Sequence, residues 1–212
     1  MLTGLLIALL VIGTATVAGA GMLYAAQKRQ GQLPKGDGGD TPLLTDGRGN
    51  LLTRTIYELR VGDVVQYDGT DFIVEGALEY DEDGRKWRIG RLVDGDDVRW
   101  LVTGLGSQTS LRLMRNEDEV EVSGYPPETL HADDVRFTLD KRGTATAHFR
   151  GDLGNMPGKR GQTRPDTVDR CRWWRYESPG DDTLLVEQWG GEYRVLRGEH
   201  VTDGVIEMIP GS

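Results

Sequence analysis

The chain has 212 residues, with 34 acidic and 25 basic side chains and a formal charge of −9. That balance argues against general nucleic-acid binding, which depends on neutralising phosphates with Lys and Arg. A single cysteine, Cys171, excludes an internal disulfide and any Cys-cluster metal site, and fits a reducing compartment. The 30 glycines are roughly double the usual ~7% share. Because aromatic and β-branched residues are also plentiful, the glycines read as turns rather than as disorder.

Leu2 to Ala26 is continuous, apolar and uncharged, and it is followed by Gln27-Lys28-Arg29. As a helix it would extend about 37 Å at ~1.5 Å per residue, enough to cross a hydrocarbon core of about 30 Å. A cleaved secretory signal, with Ala18-Gly19-Ala20 as its cleavage site, would need a basic start, and nothing before Lys28 is basic. The sequence therefore predicts a retained transmembrane anchor over residues 1–27. Lys28, Arg29 and Lys35 follow the span, which places the remainder in the cytoplasm, at a bacterial inner membrane. Residues 28–54 lack any hydrophobic period and are punctuated by Gly, Pro and Asp, as expected of a flexible tether.

Thr55 is placed to cap a single helical turn that delivers the chain into Val61-Gly62-Asp63. Strands follow at Val64 to Tyr67, Phe72 to Tyr80, Trp87 to Val93 and Val98 to Val102. They are separated by Asp68-Gly69, Asp81-Glu82-Asp83-Gly84 and Asp94-Gly95-Asp96-Asp97. Asp-Gly pairs tolerate the positive φ that tight hairpins demand, so this half reads as a β-meander.

Leu59-Arg60-Val61-Gly62-Asp63-Val64-Val65, Tyr67-Asp68-Gly69, Val74-Glu75-Gly76, Trp87 and Arg99-Trp100-Leu101 resemble a bacterial family, domain of unknown function 4178. The resemblance implies a membrane-associated or fused module. It also implies a genomic setting beside polyamine aminopropyltransferase-like and small membrane proteins, in clusters linked to envelope stress. No activity and no catalytic residue come with it.

Beyond Leu111, strands are expected at Leu111 to Arg115, Glu119 to Val122, Val135 to Leu139, Leu184 to Val186, Tyr193 to Val195 and Val205 to Ile209. Asp134-Val135-Arg136-Phe137 echoes Asp63-Val64-Val65-Gln66. Trp174-Arg175-Tyr176, Gly180-Asp181-Asp182 and Trp189 echo Trp87-Arg88-Ile89, Gly95-Asp96-Asp97 and Trp100. A duplication would account for both echoes. The expected fold is thus an all-β soluble domain of two pseudo-repeated β-meander modules, barrel-like or sandwich, over residues 55–123 and 124–212, preceded by one transmembrane α-helix.

The chemistry-bearing motifs weaken on inspection. Asp96-Asp97, Asp133-Asp134 and Asp181-Asp182 are neighbours that a strand would point to opposite faces, so they read as turn residues. Asp81 to Gly84 lacks the closing Glu of a calcium loop. Gly158-Lys159-Arg160 has Leu153 and Arg160 where a phosphate loop needs Gly and Ser or Thr. His131, His148 and His200 show no zinc-ligand spacing. Cys171 stands beside Arg172, which lowers a thiol pKa in exposed sites, but a lone strand cysteine is commonly a small core residue.

One run reverses the local charge. Lys159, Arg160, Arg164, Arg170, Arg172 and Arg175 lie against Asp166 and Asp169, with Trp173, Trp174 and Tyr176 interleaved at its end. An anionic lipid surface would contribute about 1 kcal/mol per basic residue, and a protein partner would use the same groups. The plainer reading sets the arginines against the domain's own acids and the tryptophans in the core. The sequence thus predicts a membrane-anchored, non-catalytic binding or scaffolding protein without cofactor or metal. The alternative is an enzyme whose site assembles from residues distant in sequence.

Overall fold

The computed structural model describes residues 54–157 and 168–211. The anchor expected at 1–27 and the tether, apart from Arg54, lie outside the described residues. Among the described residues no helix is long and apolar enough to cross a membrane.

The described residues are all-β and form one large antiparallel sheet. Its strands in chain order are β1 (Val64–Tyr67), β2 (Thr70–Glu82), β3 (Arg85–Asp94), β4 (Asp97–Thr103), β5 (Leu111–Asn116), β6 (Thr129–Ala132), β7 (Val135–Gly151), β8 (Val168–Glu177), β9 (Asp182–Trp189), β10 (Glu192–His200) and β11 (Ile206–Ile209). They pair in the order β11-β1-β2-β3-β4-β5-β10-β9-β8-β7-β6, and a further pairing of β2 with β7 closes the strands between them into a ring. The expected meander is present over β1 to β4. Residues 117–123, expected to include a strand at Glu119 to Val122, form none. Two like-charged acids flank Val120 there, and the segment contributes only Val120 and Val122 to a core.

The halves meet in this single sheet through β2–β7 and β5–β10, and the C-terminal β11 returns to pair with β1. The run β6 to β10 repeats the pairing order of β1 to β5. Asp68 (φ 50°) and Asp133 (φ 49°) turn the first hairpin of each run. Phe72 and Phe137, each fully buried, follow. Each long strand then carries an extra residue, between Val74 and Gly76 in β2 and between Leu139 and Lys141 in β7. Just past these bulges Gly76 faces Arg91 and Lys141 faces Arg175. The echo of Asp63-Val64 in Asp134-Val135 is therefore one strand out of place. Trp87 and Trp174 fall on corresponding strands, but Trp174 matches Gly90 rather than Trp87.

The bulges explain how one sequence alternation serves two cores. Phe72 and Val74 pack with Leu92, Leu101 and Leu111 outside the ring. Leu78 and Tyr80, continuing the same alternation, pack inside it with Trp87, Ile89 and Trp173. The extra residue turns the strand over, so its apolar positions exchange faces. In β7, Phe137 and Leu139 join the outer cluster around Trp174 and Tyr176, and Ala145, Ala147 and Phe149 face inward. At the closure Gly76 lies opposite Gly151. A Cβ on Gly76 would stand 2.1 Å from the Asp152 carbonyl oxygen and one on Gly151 2.3 Å from that of Glu75, so both positions exclude a side chain.

The chain enters through a short 3-10 turn, Ile56–Glu58, where the Glu58 carboxylate accepts the Thr55 N–H at 3.2 Å. Asp63 then ties the entry to the exit. It is buried, and its carboxylate accepts bonds from Arg54 Nη1 (2.9 Å) and Nη2 (2.6 Å), the Arg60 N–H (2.7 Å) and the Gly211 N–H (2.8 Å). Removing one member of a buried ion pair strands its partner at a cost of about 3–5 kcal/mol. Asp63→Ala should therefore lower unfolding stability by that amount in urea titration. A loss under 1 kcal/mol would show that the clamp contributes little.

Candidate functional site

A cleft of about 870 Å³ lies between residues 116–123, residues 153–157 and the β9–β10 turn. Its apolar lining comes from Trp100, Val120, Val122, Leu153 and Met156, and its carboxylates are Glu117, Asp118, Glu121 and Glu192. Arg91 and Arg194 also line it, but each is engaged, Arg91 with Glu75 and Arg194 with Glu187. Glu117 lies 3.7 Å from Arg197. Asp118 and Glu121 are exposed and carry no ion pair among the described residues. Among the described residues, the cleft carboxylates without an ion pair are thus Asp118 and Glu121.

Arg194 connects the cleft to the interior of the ring. Its guanidinium stacks over Trp100 at 4.3 Å from the ring centroid, and Trp100 Nε1 donates to Asn116 Oδ1 at 3.1 Å. Arg194 Nε donates to Glu187 Oε2 at 2.7 Å, and the Tyr80 hydroxyl donates to the other Glu187 oxygen. Glu187 is fully buried and Arg194 is 6% exposed. Burial works against the Arg194 charge, but the facing Glu187 carboxylate more than offsets it and raises the guanidinium pKa. Arg194 Nη1 is buried with no acceptor among the described residues.

Around this pair the interior is filled. Tyr80 stacks on Trp87 with centroids 3.6 Å apart and planes within 3°, and Trp87 meets Trp173 edge-on at 6.0 Å. Burial, reinforced by the Glu187 carboxylate, pushes the Tyr80 hydroxyl and the Cys171 thiol well above their ordinary values. Arg172 does not activate Cys171, because the two point to opposite faces of β8 and only Arg172 is exposed.

The structure divides the basic run. Lys159, Arg160 and Arg164 lie outside the described residues. Arg170 and Arg172 are exposed on β8. Trp173 packs inside the ring and Trp174 in the outer core under Tyr125, so neither presents a face for stacking. Arg175 is buried between Asp140 (Nε to Oδ2, 3.1 Å) and Glu177 (3.0 Å). Trp174 shares its core with Leu130, Ala132 and Phe137 of the β6–β7 hairpin, and Trp173 faces the interior that the closed ring creates. His131, His148 and His200 are all exposed, on three different strands. No cluster of three or more potential metal ligands occurs among the described residues. The cleft was missed because its walls are distant in sequence. The acids of Glu117 to Glu121 were its one visible signal, and part of that run, Glu119 to Val122, was expected to form a strand.

A thiol with a raised folded pKa stabilises the fold fully below its unfolded pKa, near 8.5. That contribution is lost as the pH rises and the unfolded chain releases the proton. Stability should decline above about pH 8.5, and Cys171→Ala should flatten that part of the profile. Aromatic disulfide reagents should titrate Cys171 only in denaturant. Stoichiometric reaction of the native protein within minutes would contradict the burial.

No curated protein and no solved structure matches the chain. A family model does match, over residues 60–203, which spans more than half the sequence and takes in all but the last of the strands. The chain belongs to the family described as Domain of unknown function (DUF4178).

Proposed function

We propose that this protein is a membrane-anchored, non-catalytic binding or scaffolding module whose cleft takes a cationic partner. The observation that carries the reading is the cleft itself. It sets a lip of carboxylates, of which Asp118 and Glu121 carry no ion pair among the described residues, around apolar side chains. The accessible lining is more polar than apolar, which suits a charged ligand held at the surface. An acidic lip concentrates cations by long-range attraction that salt weakens. The buried tyrosine, thiol and carboxylate favour a structural interior over an acid–base centre, since Glu187 is held on both oxygens by Tyr80 and Arg194.

The anchor over 1–27 would hold this domain at the cytoplasmic face of a bacterial inner membrane, and Arg170 and Arg172 are exposed cations that could meet anionic headgroups there. The genomic setting implied by the family resemblance makes a linear polyamine the first ligand to try, within an envelope-stress system. The matched turns, bulges and arginines of the two five-strand runs support a duplicated unit as the origin of the fold.

Two measurements test the reading. The mass of the mature protein should include residues 1–27, and loss of the first twenty or so would remove the anchor. In calorimetric titration spermidine should bind the full chain, with affinity falling at least tenfold in Asp118→Lys/Glu121→Lys. Wild-type protein that gives no heat and no salt-dependent binding would remove the cationic-ligand reading.

A further inference from the structure

One outer wall of the ring differs in charge from the chain as a whole. Leu78 and Tyr80 of β2, Ala145, Ala147 and Phe149 of β7, and Cys171 and Trp173 of β8 pack inside the ring. Successive strand residues point to opposite faces, so the residues between them point out. The registers align these outward residues across β8, β7, β2 and β3. Val168 stands opposite His148, His148 opposite Glu79, and Glu79 opposite Arg88. Arg170 stands opposite Thr146, Thr146 opposite Asp81, and Asp81 opposite Lys86. Arg172 and Arg150 flank these rows, opposite Thr144 and Ala77. Lys86, Arg88, Arg150, Arg170 and Arg172 thus share the wall with only Glu79 and Asp81, in a chain of formal charge −9. Glu79 is held by Arg88 at 2.7 Å and Lys86 at 3.3 Å, and Asp81 accepts the Gly84 N–H at 2.8 Å. Arg170 and Arg172 are exposed and have no acid partner among the described residues.

Beside Arg88 and Arg150 the wall opens into a concavity of about 500 Å³, bounded also by Leu59, Arg60, Val61 and Gly151. Arg60 is exposed there, and its N–H is one of those that Asp63 holds at the entry of the chain. We propose that this wall is the face the domain lays against an anionic phospholipid bilayer, with headgroup phosphates taken at Arg60 and Arg150 and along Arg170 and Arg172. This orientation rests on the membrane-anchored reading and adds to it which side of the domain meets the lipid.

Three observations select a bilayer as the occupant. Leu2 to Ala26 is uncharged and long enough to span one, and the chain it leads enters the domain beside the Arg60 concavity. The apolar side chains exposed among the cations, Val61 and Val168, are aliphatic and suit the boundary between headgroup and acyl chain. A single-stranded nucleic acid would use aromatic platforms, and the outward positions of this wall hold no Phe, Tyr or Trp, since Trp173 and Trp174 are buried. An anionic surface strengthens attachment about fivefold for each basic residue near it. None of these cations lines the acidic cleft, so the wall is independent of the ligand reading.

The test uses the full-length chain in vesicles, with a donor fluorophore on Thr146→Cys in this wall or on Arg115→Cys of β5, which stands across the ring from β7. Cys171 is buried and takes no label in the native protein. Energy transfer to acceptor-labelled headgroups is compared between neutral phosphatidylcholine and mixtures containing phosphatidylglycerol. Transfer from Thr146→Cys should rise roughly twofold in the anionic vesicles and return to the neutral level at about 0.5 M salt. The rise should also disappear in Arg170→Glu/Arg172→Glu, and transfer from Arg115→Cys should not increase. Flotation with neutral vesicles reports the anchor separately. A chain that does not float there has lost the anchor, and flotation confined to anionic vesicles and abolished by the double reversal would still support the wall. Three results would overturn the proposal: no rise for Thr146→Cys, an equal rise at both positions, or a rise that the double reversal leaves intact. Binding of a single-stranded oligonucleotide that the same reversal abolishes, without any rise on lipid, would assign the wall to nucleic acid instead.

Discussion

The two bulges, at Glu75 and Asp140, are the constraint on which the rest of the structure depends. A long strand can contribute to two cores only if it turns over part-way along, and one inserted residue does this in both β2 and β7. Each bulged residue is an acid with an arginine from the next strand beside it, Glu75 with Arg91 and Asp140 with Arg175. The carboxylate that the bulge re-aims is thereby given a cation. Past the bulges the same two strands meet each other at Gly76 and Gly151, and the ring closes. Without the turnover, Leu78 and Tyr80 would face the same side as Phe72, and the aromatic interior would lose one wall.

Closure also decides where chemistry can occur. A ring filled by Tyr80, Trp87, Trp173 and Trp189 leaves little room inside, and its one buried ion pair is sealed by aromatic rings and a tyrosine hydroxyl. Replacing such a pair with apolar residues is often neutral or stabilising, so Glu187 and Arg194 are weak evidence of a stability role alone. Their geometry suits a fixed floor: Glu187 holds Arg194, Arg194 holds the Trp100 ring, and both Arg194 and Trp100 line the cleft. Many of the polar groups then come from segments that lie outside the ring strands, residues 117–123 and 153–157, as binding residues on a rigid scaffold commonly do.

The same division explains what could be read in advance. The hairpins at Asp68-Gly69 and Asp83-Gly84 were legible because local backbone preference demands those residues there. The strand alternation over Phe72 to Tyr80 was equally plain. It could not reveal that Val74 and Leu78 serve opposite faces, because an inserted residue leaves no mark when both neighbours are tolerant of either core. Trp174, at the end of a basic run, is interior because the β6–β7 hairpin, distant in the chain, contributes Leu130, Ala132 and Phe137 to the core it joins. Arg175 lost its apparent freedom in the same way, to an acid at position 140.

The sequence by itself determined the class of the described domain, its first four strands and the turns between them, since these follow from φ preferences and the period of apolar residues. Family membership was legible there too, in the motif around Asp63. Only the tertiary structure decided that the two halves share one closed sheet, that Asp63 clamps the entry of the chain to its exit, and which charges remain unneutralised. Those outcomes depend on pairings between segments far apart in the chain, β2 with β7, β5 with β10 and β1 with β11. No local preference encodes such pairings. They are selected by which arrangement buries the most apolar surface without leaving a charge or a backbone group unpaired.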